Sequence, residues 1–173
     1  MNKLATRLLI LMFLFPICSW ALDLSSIERQ NDKLVGKVHY QKWFFDVYDA
    51  ELFTTNGKFD WDKPFLLRIS YLRNLSGQSI VSQTIKEISL QHPSLTKTEK
   101  QDYRKIFSGM IPDVKKGDIL YGYMSDEGYA YIYSGNNELL GEIKDKKLST
   151  YFFEIWLSDD TSSPEHSRRL RGL

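Results

Sequence analysis

Apolar and polar residues alternate from Leu34 to Tyr40, with Leu34, Gly36, Val38 and Tyr40 on one parity. That is the period of a half-buried strand. Trp43 to Phe53 is richer in large residues and predicts a long strand, partly buried on both faces. Asn56-Gly57 and Asp62-Lys63-Pro64 break the pattern. It resumes over Phe65–Leu72, with Phe65, Leu67, Ile69 and Tyr71 on one face and Leu66, Arg68 and Ser70 on the other. After Pro112, alternation returns in three short runs: Ile119–Tyr123, Tyr129–Tyr133 and Leu139–Ile143. The turn sequences Asp126-Glu127-Gly128 and Gly135-Asn136-Asn137 separate them. These runs predict a three-stranded meander.

Between the two strand groups the period lengthens. Val81, Ile85 and Ile88 fall at i, i+4, i+7 behind a capping Ser76, and His92-Pro93 ends the helix. A second helix begins at Thr96 or Thr98, with Tyr103, Ile106, Phe107 and Met110 expected on its inner face. A third follows the meander. Asp145 stands as N-cap, Leu148, Phe152 and Ile155 share a face, and five of the six residues Phe152–Leu157 are large and apolar. A folded chain must bury such a run, so the helix is expected to pack hard onto a sheet. Pro164 opens a last helical turn or two, while residues 22–33 read as a polar leader. Strands, two helices, three strands and a helix give an α+β fold: one antiparallel sheet with helices over one face.

The N-terminus stands outside this pattern. Lys3 and Arg7 precede an apolar stretch from Leu8 to Ile17, and Ser19-Trp20-Ala21 places small residues at the −3 and −1 positions of a cleavage site. That is a signal peptide over residues 1–21; the apolar stretch falls short of the ~20 residues of a bilayer span. The expected mature domain is residues 22–173, exported to a periplasm. It would carry no cysteine, since Cys18 is the only one, and so must be held by its core alone. Removing Lys3 and Arg7 from 23 basic residues leaves one fewer than the 22 acidic ones. This balance gives no electrostatic footprint for nucleic acid. The basic tail Arg168-Arg169-Leu170-Arg171 reads as a solvated helix end.

Candidate chemistry is sparse. His39, His92 and His166 are scattered, and no metal site or cofactor is expected. No Gly-x-Ser-x-Gly or phosphate loop is present in the sequence. Asp49 and Glu51 share a strand parity, which suits a solvent face better than a catalytic pair. Tyr121, Tyr123, Tyr129, Tyr131 and Tyr133 either line a cleft or cover the sheet beneath the helices, and alternation favours the second. Arg68, flanked by Leu66, Leu67 and Ile69, either lies on the surface opposite the core or grips a carboxylate with its guanidinium.

Three stretches carry a resemblance that spans nearly all of the mature chain. They are Asp46-Val47-Tyr48-Asp49-Ala50-Glu51-Leu52; Pro64–Tyr71 followed by Leu75-Ser76-Gly77; and Pro112–Asp118 with Leu140-Gly141-Glu142-Ile143, Phe152–Leu157 and the ending Leu170-Arg171-Gly172-Leu173. In order and spacing the chain resembles the bacterial chalcone isomerase-like proteins. The resemblance implies an open-faced β-sandwich, with a large antiparallel sheet, a helical layer and a cleft between them. Plant chalcone isomerases close a flavanone ring with an arginine, a tyrosine, an asparagine and two threonines. The matching places here hold Gly36-Lys37-Val38 with no arginine, then Ile80, Glu87 and Ile155, with the early threonine falling near Asp49. An isoleucine can neither donate to an enolate nor orient a water, so no catalytic residue carries over.

Some relatives with this fold bind fatty acids. The expectation is therefore a non-catalytic exported protein that takes a fatty acid or other small amphipathic ligand in the cleft. Arg68, Lys37, Tyr48 and Tyr71 are its candidate ligand-binding residues. A lyase or isomerase of chalcone isomerase type and a cell-envelope interaction module are the alternatives.

Overall fold

The computed structural model describes residues 23–42 and 44–173. The expected signal peptide and Trp43 lie outside the described residues. The chain runs α1 (Leu24–Gln30), β1 (Lys33–Lys42), β2 (Phe45–Thr54), β3 (Phe65–Tyr71), α2 (Gly77–Gln91) and α3 (Lys97–Ser108). It continues with β4 (Ile119–Met124), β5 (Ala130–Ser134), β6 (Leu139–Ile143), α4 (Lys146–Leu157) and α5 (Pro164–Leu170). All six strands form one sheet in the order β1-β2-β3-β4-β5-β6, each antiparallel to its neighbour. The sheet is open, since β1 and β6 do not meet. The α+β expectation holds.

The strand parities decide what each face covers. Phe65, Leu67, Ile69 and Tyr71 join Val38, Ala50, Leu52, Gly122 and Ile132 on the inner face, under α2–α5. Leu66, Tyr121, Tyr123, Tyr131 and Tyr133 form a second cluster on the outer face. The tyrosines thus cover the sheet, but on the side away from the main helical layer. Their cover is α1, which occupies the expected leader: Leu24 and Ile27, three apart on one helical face, are both about 2% exposed. Asn137 in the β5–β6 turn donates to Asp23 Oδ1 at 2.8 Å and fastens the start of α1 to the sheet.

The helix signals are those of capped amphipathic segments. Ser76 and Asp145 accept from the backbone N–H groups of Ser79 and Leu148, and Thr96 and Glu99 form a reciprocal capping box. His92 ends α2 and bonds Glu154 of α4 at 2.6 Å. On α3 the stripe is narrower than expected: Tyr103 and Phe107 are buried, whereas Ile106 is 40% exposed. The apolar run of α4 buries Leu148, Phe152, Phe153 and Leu157 completely or nearly so. Ser149 ties it to the sheet edge, donating to the Ile143 carbonyl and accepting from Ala130 N–H, both at 3.0 Å. The basic tail is the end of α5, with Arg171 paired to Asp159.

Two glycines allow the helices to come close. At Gly122 an added Cβ would lie 2.9 Å from the Phe153 ring. At Gly36 on β1 it would lie 2.2 Å from the Arg169 carbonyl oxygen and 2.5 Å from that of Leu170. Backbone cannot swing aside as a side chain can. Gly36→Ala should therefore lift α5 from the sheet and lower the unfolding free energy by about 1–3 kcal/mol, measured by urea denaturation.

Candidate binding cavity

A cavity of about 300 Å³ lies between β1–β3 on one side and α2, α4 and α5 on the other. Val38, Ile69, Leu75, Ile80, Ile155 and Leu170 supply its apolar wall. The exposed residues Lys42, Ser79 and Ser162 mark where it meets solvent. A smaller void of about 50 Å³ shares Ile69, Tyr71, Ile80, Thr84 and Trp156 with it and continues toward Ile111, Leu120 and Ile132.

The wall follows from sequence periods. Tyr40, Tyr48 and Tyr71 sit on the inner parity of β1, β2 and β3, and Tyr48 pairs directly with both neighbours across the sheet. The rings of Tyr40 and Tyr48 stack at 4.9 Å, and Tyr71 meets Tyr48 edge-on at 6.5 Å. Tyr48 Oη accepts from Trp156 Nε1 at 3.1 Å, which links the floor to α4. On α2, Ile80, Thr84 and Glu87 follow i, i+4, i+7, one step around from the buried stripe of Val81, Ile85 and Ile88. Glu87 is 7% exposed; its Oε1 accepts from Gln83 Nε2 at 2.6 Å, and its Oε2 is buried with no hydrogen bond. His166 on α5 packs edge-on against Tyr40, and its buried Nδ1 also has no hydrogen-bond partner.

The four expected ligand-binding residues separate into two groups. Tyr48 and Tyr71 line the cavity. Arg68 and Lys37 stand on the outer face, where both bond to Glu51: Arg68 Nη1 to Oε2 at 3.0 Å and Lys37 Nζ to Oε1 at 3.1 Å. The sheet itself lies between them and the cavity. Asp49 is likewise on the outer face, bonded to His39 Nδ1 at 2.7 Å, while Asp46 bonds Nε2 of the same ring at 2.9 Å. Glu87, His166, Tyr40 and Trp156 were not foreseen as wall residues. Of the places where plant chalcone isomerases hold reactive groups, Ile80, Glu87 and Ile155 do fall in this wall. No cluster of three metal-ligating side chains occurs among the described residues, and none of their helices is long and apolar enough to cross a membrane.

An open antiparallel sheet backed by helices, with a cavity between the layers, is the architecture of a chalcone isomerase-like protein. The model of that family, described as chalcone isomerase-like, matches residues 23–165, and the chain belongs to it. Among solved structures the fold is similar to a fatty-acid binding protein of Arabidopsis thaliana, with a TM-score of 0.60 and 8% identity over 81% of this chain and 84% of that one. A search of curated protein sequences finds no match.

Burial raises the Tyr48 and Tyr71 phenols well above the ordinary value of about 10. A phenol whose pKa is higher folded than unfolded favours the fold below the unfolded value, and that contribution is lost as pH rises through the folded one. In a spectrophotometric titration these two phenols should ionise last, together with alkaline unfolding. Tyr48→Phe and Tyr71→Phe should each remove one late-titrating phenol and leave the early ones unchanged.

Proposed function

We propose that the protein is a non-catalytic binder of a small amphipathic ligand, held between the inner face of β1–β3 and the helices. One observation carries this reading: an apolar-walled cavity at the lower end of the usual ligand-pocket range, open to solvent beside polar side chains. Tyr48 and Tyr71 would contact the ligand with their rings. An alkyl chain gains about 0.8 kcal/mol per buried methylene. A tail of about ten carbons therefore offsets the several kcal/mol that association costs. The smaller void behind Ile80 gives such a tail room to extend. A fatty acid is one ligand of this shape, and it is what the similar Arabidopsis thaliana protein is named for binding.

We also propose that the protein acts in a periplasm, delivered there by residues 1–21. Lys3 and Arg7, the apolar stretch Leu8–Ile17 and Ser19-Trp20-Ala21 support this. N-terminal sequencing of the exported protein should begin at Leu22; retention of residues 1–21 would refute cleavage.

The binding reading is tested by native mass spectrometry and by displacement of a neutral fluorescent probe such as N-phenyl-1-naphthylamine. Wild-type protein should bind medium-chain amphiphiles one to one. Ile80→Trp places a larger ring where both cavities meet, and it should weaken binding by about tenfold or more while the protein stays folded. Failure of wild type to bind any amphiphile, or equal binding by Ile80→Trp, would overturn the proposal.

A further inference from the structure

We infer that the cavity is built for an amphiphile whose head is cationic, with Glu87 as the group that receives it. The inference rests on the reading of the cavity as a ligand site and names the chemistry of that ligand.

A carboxylate is costly to bury unless it is paired. Glu87 is buried in the wall, and only one of its two oxygens is satisfied, by the Gln83 amide. Among the described residues Lys42 is the one lysine or arginine in the lining, and it is exposed and forms no ion pair with Glu87. Burial raises the Tyr40 and Tyr48 phenols, and the nearby Glu87 carboxylate adds to the rise.

The rest of the wall suits the same kind of head. Tyr40, Tyr48, Tyr71 and Trp156 present aromatic rings around the space, and ring faces attract cations. His166 Nδ1, when unprotonated, offers a second buried acceptor on the facing helix. An alkylammonium could donate to Glu87 Oε2 and lie against these rings, with its tail along Ile69 and Ile80 toward the smaller void. A fatty-acid carboxylate in the same place would meet Glu87 as a like charge.

The test compares three amphiphiles of equal chain length below their micelle concentrations: dodecylamine, dodecanoate and dodecanol. Each competes with the neutral probe at pH 7. Dodecylamine should bind roughly tenfold or more tightly than either of the others, the expected scale for a desolvated charge-assisted hydrogen bond. Glu87→Gln keeps the size and polarity of the side chain and removes its charge, so it should abolish the preference. A thermal melt checks that this variant folds; if it does not, the wild-type ranking alone decides. Dodecanoate binding as tightly as dodecylamine, or Glu87→Gln retaining the preference, would overturn the inference and leave the cavity reading standing. Binding of none of the three would overturn both.

Discussion

The helical side of the molecule depends on how closely α4 can approach β4. Gly122 leaves a gap in the inner face of the sheet, and the Phe153 ring fills it. That ring meets Phe65 edge-on at 4.9 Å, and its neighbour Phe152 packs on Phe107 of α3 at 5.5 Å and on Trp156 at 5.4 Å. One small residue therefore sets the spacing between sheet and helices at the centre of the fold. Gly36 does the same at the edge, where α5 rests on β1. Between these two close approaches the inward side chains of β1–β3 do not fill the interlayer space, and the cavity is what remains. Its size is a result of where the glycines are as much as of the residues that line it.

The architecture was legible because strand parity and helix period are strong signals and agree with the turns. The meander, the N-caps at Ser76 and Asp145 and the end of α2 at His92 all follow from local chemistry. α1 was not legible. Leu24 and Ile27 are two apolar residues in a polar stretch, and what makes them a helix face is a tyrosine cluster contributed by strands far along the chain. Ile106 was misplaced for a related reason: periodicity gives a stripe's direction but not its width.

The cavity was half legible. Parity put Tyr71 with the core residues and Arg68 opposite, and the structure keeps that division. An arginine among leucines draws attention as a ligand clamp, yet its partner is Glu51, directly across the β2–β3 pair. In the sequence Glu87 stands out only as a departure from a catalytic pattern, not as a wall residue. The signal was available in Ile80, Thr84 and Glu87, a second stripe beside the buried one. A carboxylate on an amphipathic helix ordinarily marks the solvent face, and here the tertiary packing of α2 against the sheet and α4, around a cavity that α5 closes on another side, reverses that expectation.

The sheet order carries a consequence for how the chain assembles. Strands β1–β3 are joined by short connections, and so are β4–β6. The pairing of β3 with β4 alone must close a long excursion, from Tyr71 to Ile119, that contains α2 and α3. Loop-closure entropy falls on that one seam. The protein is thus expected to fold as two locally formed half-sheets that dock late, with Phe153 on the second half meeting Phe65 on the first only after the seam has closed. The cavity floor belongs entirely to the first half-sheet, but its roof comes from α2, α4 and α5. A pocket therefore exists only once α4 and α5 have closed over β1–β3, long after the strands that floor it have formed.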